Sequence, residues 1–197
     1  MGKTYLVFDT EANGLPITHH ARFSDISNWP RIIQLGWGRY TSEGEELSFQ
    51  SSFIKPDGWT VPTEQFFIDN DLSTERCERE GAPLLEVFEA FNEDWAKSDV
   101  LVAHNLSFDK PVIGAEAYRY GLRFPKKLDE LCTKLAMEPL CKIPGWRGKY
   151  KWPTLLEAHQ WCFGEGFEGA HDAGSDVLAC AKVLSHYLQY QEMSDIF

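Results

Sequence analysis

Apolar and polar positions follow two rhythms along the chain. Compact apolar runs rich in strand-forming residues occur at Thr4 to Phe8, Ile32 to Tyr40, Leu47 to Ile54 and Val100 to Ala103, with a short piece near Leu128, and they predict five strands. Apolar residues recurring every three or four positions predict helices over Leu84 to Lys97, Pro111 to Tyr120, Thr154 to Phe163 and Gly174 to Gln189. The first three strands would form an antiparallel meander, and the later ones alternate with helices. Parts of residues 15 to 30 and 138 to 152 carry neither rhythm, and both are candidates to border a site.

Acids stand at the ends or starts of three of these elements. The first strand runs into Asp9-Thr10-Glu11; side chains two apart in a strand share a face, so both carboxylates point the same way, about 7 Å apart along the strand. The fourth strand leads through His104-Asn105-Leu106-Ser107-Phe108 to Asp109, and Lys110-Pro111 follows, with the proline suited to a first helical turn and the acid to a helix N-terminus. The last helix is preceded by His171 and carries Asp176 in its first turns. Each segment taken alone also fits a plain reading: a solvated strand end, an ordinary cap, a surface histidine before a helix. Their joint occurrence suits metal-assisted phosphodiester cleavage, which needs an activated water and positive charge beside the phosphorus. An imidazole can take a proton from such a water near neutral pH.

In this order, Asp-x-Glu, an Asp after a His-Asn-x-x-Phe run, and a His five residues before an Asp, the chain resembles the DEDDh group of the DnaQ-like 3′-to-5′ exonuclease superfamily, whose members include proofreading subunits such as the DNA polymerase III epsilon domain. The resemblance covers Tyr5 to about Leu188. It implies an α/β, RNase H-like fold with a central mixed five-stranded sheet flanked by helices. It implies that Asp9, Glu11, Asp109 and Asp176 hold two divalent ions, Mg2+ or Mn2+, about 4 Å apart, that His171 is the general base, and that nucleoside 5′-monophosphates are released from the 3′ ends of single-stranded DNA or RNA; DNA is the favoured reading of the substrate, and no motif reports the choice of sugar. Ala12, Gly14 and Leu15 correspond to positions near the terminal nucleotide, Leu15 as a wedge between the last two bases, and His104 and Phe108 are further candidates to line the pocket. A tight turn at Asn13-Gly14 and core packing of Phe108 remain equally good readings of those residues. Two departures stand out. Many relatives carry His-Gly-Ile-Thr where this chain has Asn70-Asp71-Leu72-Ser73, which puts nucleotide contacts there in doubt. Many have Asp-Thr where Cys132-Thr133 stands, with no expected effect on the metal site.

Composition changes this picture in few places. A chain of 197 residues with 43% hydrophobic content can bury one substantial core, so a single domain over 1–197 is expected. The N-terminus leads directly into a strand without a basic and apolar leader pattern, and no run approaches membrane-spanning length, so a soluble cytoplasmic protein with no membrane partner is expected. Five cysteines without a Cys-x-x-Cys pair read as reduced thiols. The net charge of −11 argues against extensive nonspecific grip on a polyanion, and processive action would need a partner. A polymerase or repair partner and the oligomeric state are left open, and a stand-alone repair, trimming or recycling nuclease is favoured.

One segment runs against the charge. Residues 142 to 152 (KIPGWRGKYKW) hold four cations, three aromatics and no acid, a composition suited to unpaired bases and phosphates. A solvated loop packing one tryptophan fits the same composition. Its Lys-Trp-Pro-x-Leu ending resembles a stretch in some bacterial and phage-type members of the superfamily.

Other chemistries fit less well. An aspartyl-phosphate phosphatase needs Asp-x-Asp, and position 11 is Glu. An EF-hand over Asp69, Asp71, Ser73 and Glu80 lacks the glycine its sharp turn requires, with Thr74 there instead. A catalytically weak exonuclease-fold module for nucleic-acid binding or protein docking is the non-enzyme alternative.

Overall fold

The computed structural model describes residues 2–194. Five strands, β1 (Thr4–Ala12), β2 (Ile32–Thr41), β3 (Glu46–Phe53), β4 (Val100–Ala103) and β5 (Asp129–Cys132), form one sheet in the order β3-β2-β1-β4-β5. β1, β2 and β3 pair antiparallel, whereas β1–β4 and β4–β5 pair parallel, so the mixed sheet expected of an RNase H-like fold is present. The helices are α1 (Gln65–Asp69), α2 (Thr74–Glu80), α3 (Leu84–Ala96), α4 (Leu106–Arg119), α5 (Thr133–Cys141), α6 (Leu155–Phe163) and α7 (Ala173–Ser194). Among the described residues, no helix is long and apolar enough to cross a membrane.

Strand alternation sorts the core into two layers. Leu6 and Phe8 join Leu35, Trp37 and Leu101 in the cluster that packs on α3 and α4. Tyr5 and Val7 join Tyr40, Val100 and Val102 in the cluster that packs on Val177, Cys180, Ala181 and Leu184 of α7. By the same alternation, Asp9 and Glu11 share the α7 side. The β1–β4 ladder reaches only Val7↔Val102, so the acidic end of β1 projects beyond β4.

Several element boundaries differ from the sequence expectation. β1 continues four residues past Phe8, because β2 pairs with it as far as Ala12. α4 begins at Leu106, one residue after Asn105, so Pro111 lies inside the helix and not in its first turn. The proline withholds one hydrogen bond, to the carbonyl four residues back, and the helix continues through it. α1 and α2 escaped the periodicity because they are short, α2 burying only Cys77, and α5 escaped it because Pro139 breaks the pattern. Within 138 to 152, α5 occupies the first four residues. The 13–31 segment holds no helix or strand.

Two devices bring helices against the sheet. Glu116 of α4 accepts from Arg31 Nε at 2.7 Å and from the Ile32 amide at 3.2 Å, which ties α4 to the entry of β2. Gly36 of β2, paired with Asp9, faces the start of α7 so closely that a Cβ there would run into the Ala173 carbonyl. Gly36→Ala is therefore expected to lower stability by about 1–3 kcal/mol through overpacking, and to push Asp176 away from β1. A denaturant midpoint equal to that of the wild type would contradict this packing.

Candidate active site

β1 delivers Asp9 and Glu11, α4 delivers Asp109, and the turn before α7 together with its first turn delivers His171 and Asp176. All five line one cavity of about 610 Å³. Facing ligand atoms of Glu11, His171 and Asp176 lie within 4.8 Å of one another, which makes these three residues a group able to hold a metal ion.

Local structure explains each placement. Beyond the last β4 pair the Thr10 amide has no strand partner, and Asp109 Oδ1 accepts from it at 3.2 Å and from the Thr10 hydroxyl at 2.7 Å. Asp109 is thereby fixed beside β1. Asp172 caps α7, accepting from the Ser175 amide at 2.9 Å and from Gln34 Nε2 at 2.8 Å, while Gln34 Oε1 accepts from the Ala173 amide. Gln34 thus clamps the start of α7 to β2. His171 adopts a left-handed backbone, φ 69°, unusual for a residue with a side chain. Its amide donates to Asp176 Oδ2 at 3.3 Å, and its ring is exposed with the edge of Phe66 5.1 Å away between centroids.

The electrostatics are unfavourable without a cation. Burial, with Asp176, Asp109 and Asp172 nearby, pushes the Glu11 carboxyl up to about 8. Burial lifts Asp176 to about 7, helped by Asp172 and Asp109 against the opposing His171 amide. Asp109 rises to about 6 through burial, restrained by the Thr10 hydrogen bonds. Loss of hydration, with Asp109, Asp176 and Glu11 beside it, raises Asp9 well above the carboxylate range. Asp176 Oδ1 is buried without a hydrogen-bond partner. An orphaned carboxylate oxygen among like charges is what a bound divalent cation would complete, so the residues present fit such a group.

The nucleotide-lining expectations divide. Ala12, Gly14, Leu15 and Phe108 line the cavity, Leu15 being 81% exposed. His104 does not. It is buried, with Nδ1 2.9 Å from Thr133 Oγ1 and Nε2 3.1 Å from the Pro153 carbonyl, and burial lowers its pKa to about 4. Its position after β4 turns it toward the start of α5, so it fastens that helix and the segment before α6 rather than facing a ligand. Asn70 to Ser73 also lie outside the cavity lining: Asn70 caps α1, Ser73 caps α2, and Asp71 pairs with Arg76. That ion pair, with Arg76 also bound to Glu80, occupies two acids of the rejected calcium loop. The cavity wall there is Phe66 and Phe67 of α1, and His19, Thr10 and Asn105 complete it. Sequence reading missed Phe66 and His19. No motif marks them, although Phe66-Phe67 beside a polar stretch was a visible signal.

No family model matches the chain. Over 119 residues, 60% of this chain, it is 30% identical to a PolC-type DNA polymerase III of Streptococcus suis, of which that stretch is 7%. In structure it is similar to E. coli exonuclease I in complex with a dT13 oligonucleotide, with a TM-score of 0.72 at 16% identity over 99% of this chain and 43% of that one. A zinc-bound form of the E. coli exonuclease I–ssDNA complex gives a TM-score of 0.67 at 17% identity, over 100% of this chain and 43% of that one. The fold is thus that of exonuclease I, in line with the DnaQ-like resemblance, and the chain spans less than half the length of these proteins.

A pH dependence follows from the raised carboxyls. A folded-state pKa above the unfolded value means the folded protein holds extra protons, so stability falls as pH rises from the ordinary carboxylate range, about 4.5, through the folded values of about 6 to 8. Thermal midpoints in EDTA are expected to drop between pH 5 and pH 8.5, and Mg2+ or Mn2+ is expected to reverse the drop at the upper end. Asp176→Asn is expected to flatten the EDTA profile. A profile already flat in the wild type would count against the like-charge cluster.

Proposed function

We propose that the protein is a metal-dependent 3′-to-5′ exonuclease that removes nucleoside 5′-monophosphates from single-stranded nucleic acid, DNA in preference to RNA, with its 197 residues acting as one catalytic domain. The observation that carries this reading is the convergence of Asp9, Glu11, Asp109, His171 and Asp176 on one cavity from three separate segments. Similarity in fold to an exonuclease bound to single-stranded DNA supports it.

In this reading Asp9, Glu11, Asp109 and Asp176 hold two divalent cations. Such cations, when bound, supply positive charge against the phosphate and lower the pKa of water. The remaining work belongs to the chain. The exposed imidazole of His171 takes the proton of the attacking water on a ring nitrogen and passes it to solvent. Phe66 limits where that ring can swing. Leu15, projecting beside Ala12 and Gly14, enters between the last two bases, and Phe108 forms the wall against the terminal nucleotide. Gln34 acts through Asp172, keeping the His171 to Asp176 segment in register with β1.

The test is degradation of 5′-labelled single-stranded DNA and RNA with Mg2+, Mn2+ or EDTA. A metal-dependent ladder shortening from the 3′ end is expected, faster on DNA. His171→Ala is expected to lower the rate about 10²- to 10⁴-fold, the usual contribution of a positioned acid or base, and Asp9→Ala to reduce cleavage to background. If folded, metal-binding protein cleaves neither polymer, the exonuclease reading fails and the docking module takes its place.

A further inference from the structure

Beside the catalytic cavity lies a second one of about 550 Å³, lined by Leu106, Ser107, Lys134 and Trp152 among others. The two adjoin at the start of α4, since Asn105 and Phe108 line the first and Leu106 and Ser107 the second. Lys134 links them: its Nζ donates to Asn105 Oδ1 and stands 4.9 Å over the Trp152 ring.

Trp152 closes the basic segment identified in the sequence, and that segment is built rather than loose. Pro144 pairs with Tyr150 in an antiparallel bridge, the Gly145 amide donates to the Lys149 carbonyl at 2.8 Å, and the Lys151 amide donates to the Ile143 carbonyl at 3.0 Å. The result is a short finger, anchored at its base where the Pro153 carbonyl meets His104. Its aromatic groups face solvent, with Trp146 79%, Trp152 58% and Tyr150 49% exposed. Arg147 stands 4.2 Å over the Trp146 ring. Lys151 is paired with Glu157, and Lys110 in the adjoining cavity is paired with Glu130, but Lys142, Arg147 and Lys149 make no ion pair among the described residues. Large exposed aromatics interleaved with uncommitted cations, in a chain of net charge −11, match a polyanion carrying flat apolar faces.

We propose that Lys134, Trp152 and the 142–152 finger form a track for the nucleotides upstream of the one being removed, so that single-stranded nucleic acid leaving the catalytic cavity past Asn105 stacks a base on Trp152 and sets its phosphates against Lys134, Arg147 and Lys149. The direction of the strand rests on the exonuclease reading; the binding surface itself does not. The track supplies grip where the acidic body of the protein cannot, and it is sequence-tolerant, because every base offers a face to stack.

The experiment measures binding separately from cleavage. Fluorescein-labelled dT20 with cleavage-resistant phosphorothioate linkages at its 3′ end is titrated in Mg2+ by anisotropy, with a labelled dinucleotide carrying the same linkage as the short comparison. Trp152→Ala is expected to weaken dT20 binding about 5- to 150-fold, the loss of one base stack, and to erase most of the gain in affinity from dinucleotide to dT20. The double variant Arg147→Gln/Lys149→Gln is expected to shallow the dependence of log affinity on log salt by about 1.4, roughly 0.7 per cation on a single strand. Both changes fall on exposed residues, and melting curves check that the variants fold. Wild-type affinity and salt slope retained in both variants would overturn the track even if the protein degrades DNA. Weakened binding by the variants of a wild type that cleaves nothing would uphold the track while the catalytic reading fails.

Discussion

The candidate site depends on one close approach: the first turn of α7 against β2 at Gly36. No side chain separates the Gly36 backbone from the Ala173 carbonyl, and Gly174 packs, less tightly, on the Ser51 side chain of β3. That contact, held by the Gln34 and Asp172 hydrogen bonds, sets how far α7 stands from the sheet. Asp176 and His171 come within ligand distance of Glu11 because of it. A wider spacing would leave three unremarkable surface groups.

The same approach concentrates negative charge in a place that disfavours it. Four carboxylates, three of them pushed up to about 6, 7 and 8, are kept together by a scaffold whose own packing, on Leu6, Phe8, Trp37 and the α7 cluster, does not depend on them. The hydrogen bonds from Thr10 to Asp109 and from the His171 amide to Asp176 offset part of the cost. The rest is a cost that the packing of the scaffold carries and that a divalent cation, when bound, would offset.

Charge is also divided across the molecule. The acids gather at the C-terminal end of β1, while uncommitted cations gather on the finger before α6, and Lys134 stands between them, donating to Asn105 and covered by Trp152. A protein acidic overall can thus present a cationic face to a polyanion without neutralising its own clustered carboxylates.

Much of this was legible in the residues. Period-two and period-3.6 patterns located the five strands and helices α3, α4, α6 and α7, because burial of one face imposes those rhythms. Asp9, Glu11, Asp109, His171 and Asp176 could be picked out because their spacing relative to strand ends and helix starts is a local property. Helices α1 and α2 carry too few turns to show a rhythm, α5 is interrupted by Pro139, and α4's true start was masked by Pro111, whose usual place is a first turn. The tertiary structure alone decided which neighbours meet. It turned His104 away from the cavity toward Thr133 and Pro153, brought Phe66 against His171, and linked Lys134 to Asn105 and Trp152. The physical reason is that spacing along a chain dictates which face a side chain takes, whereas what stands opposite that face depends on contacts between segments distant in sequence.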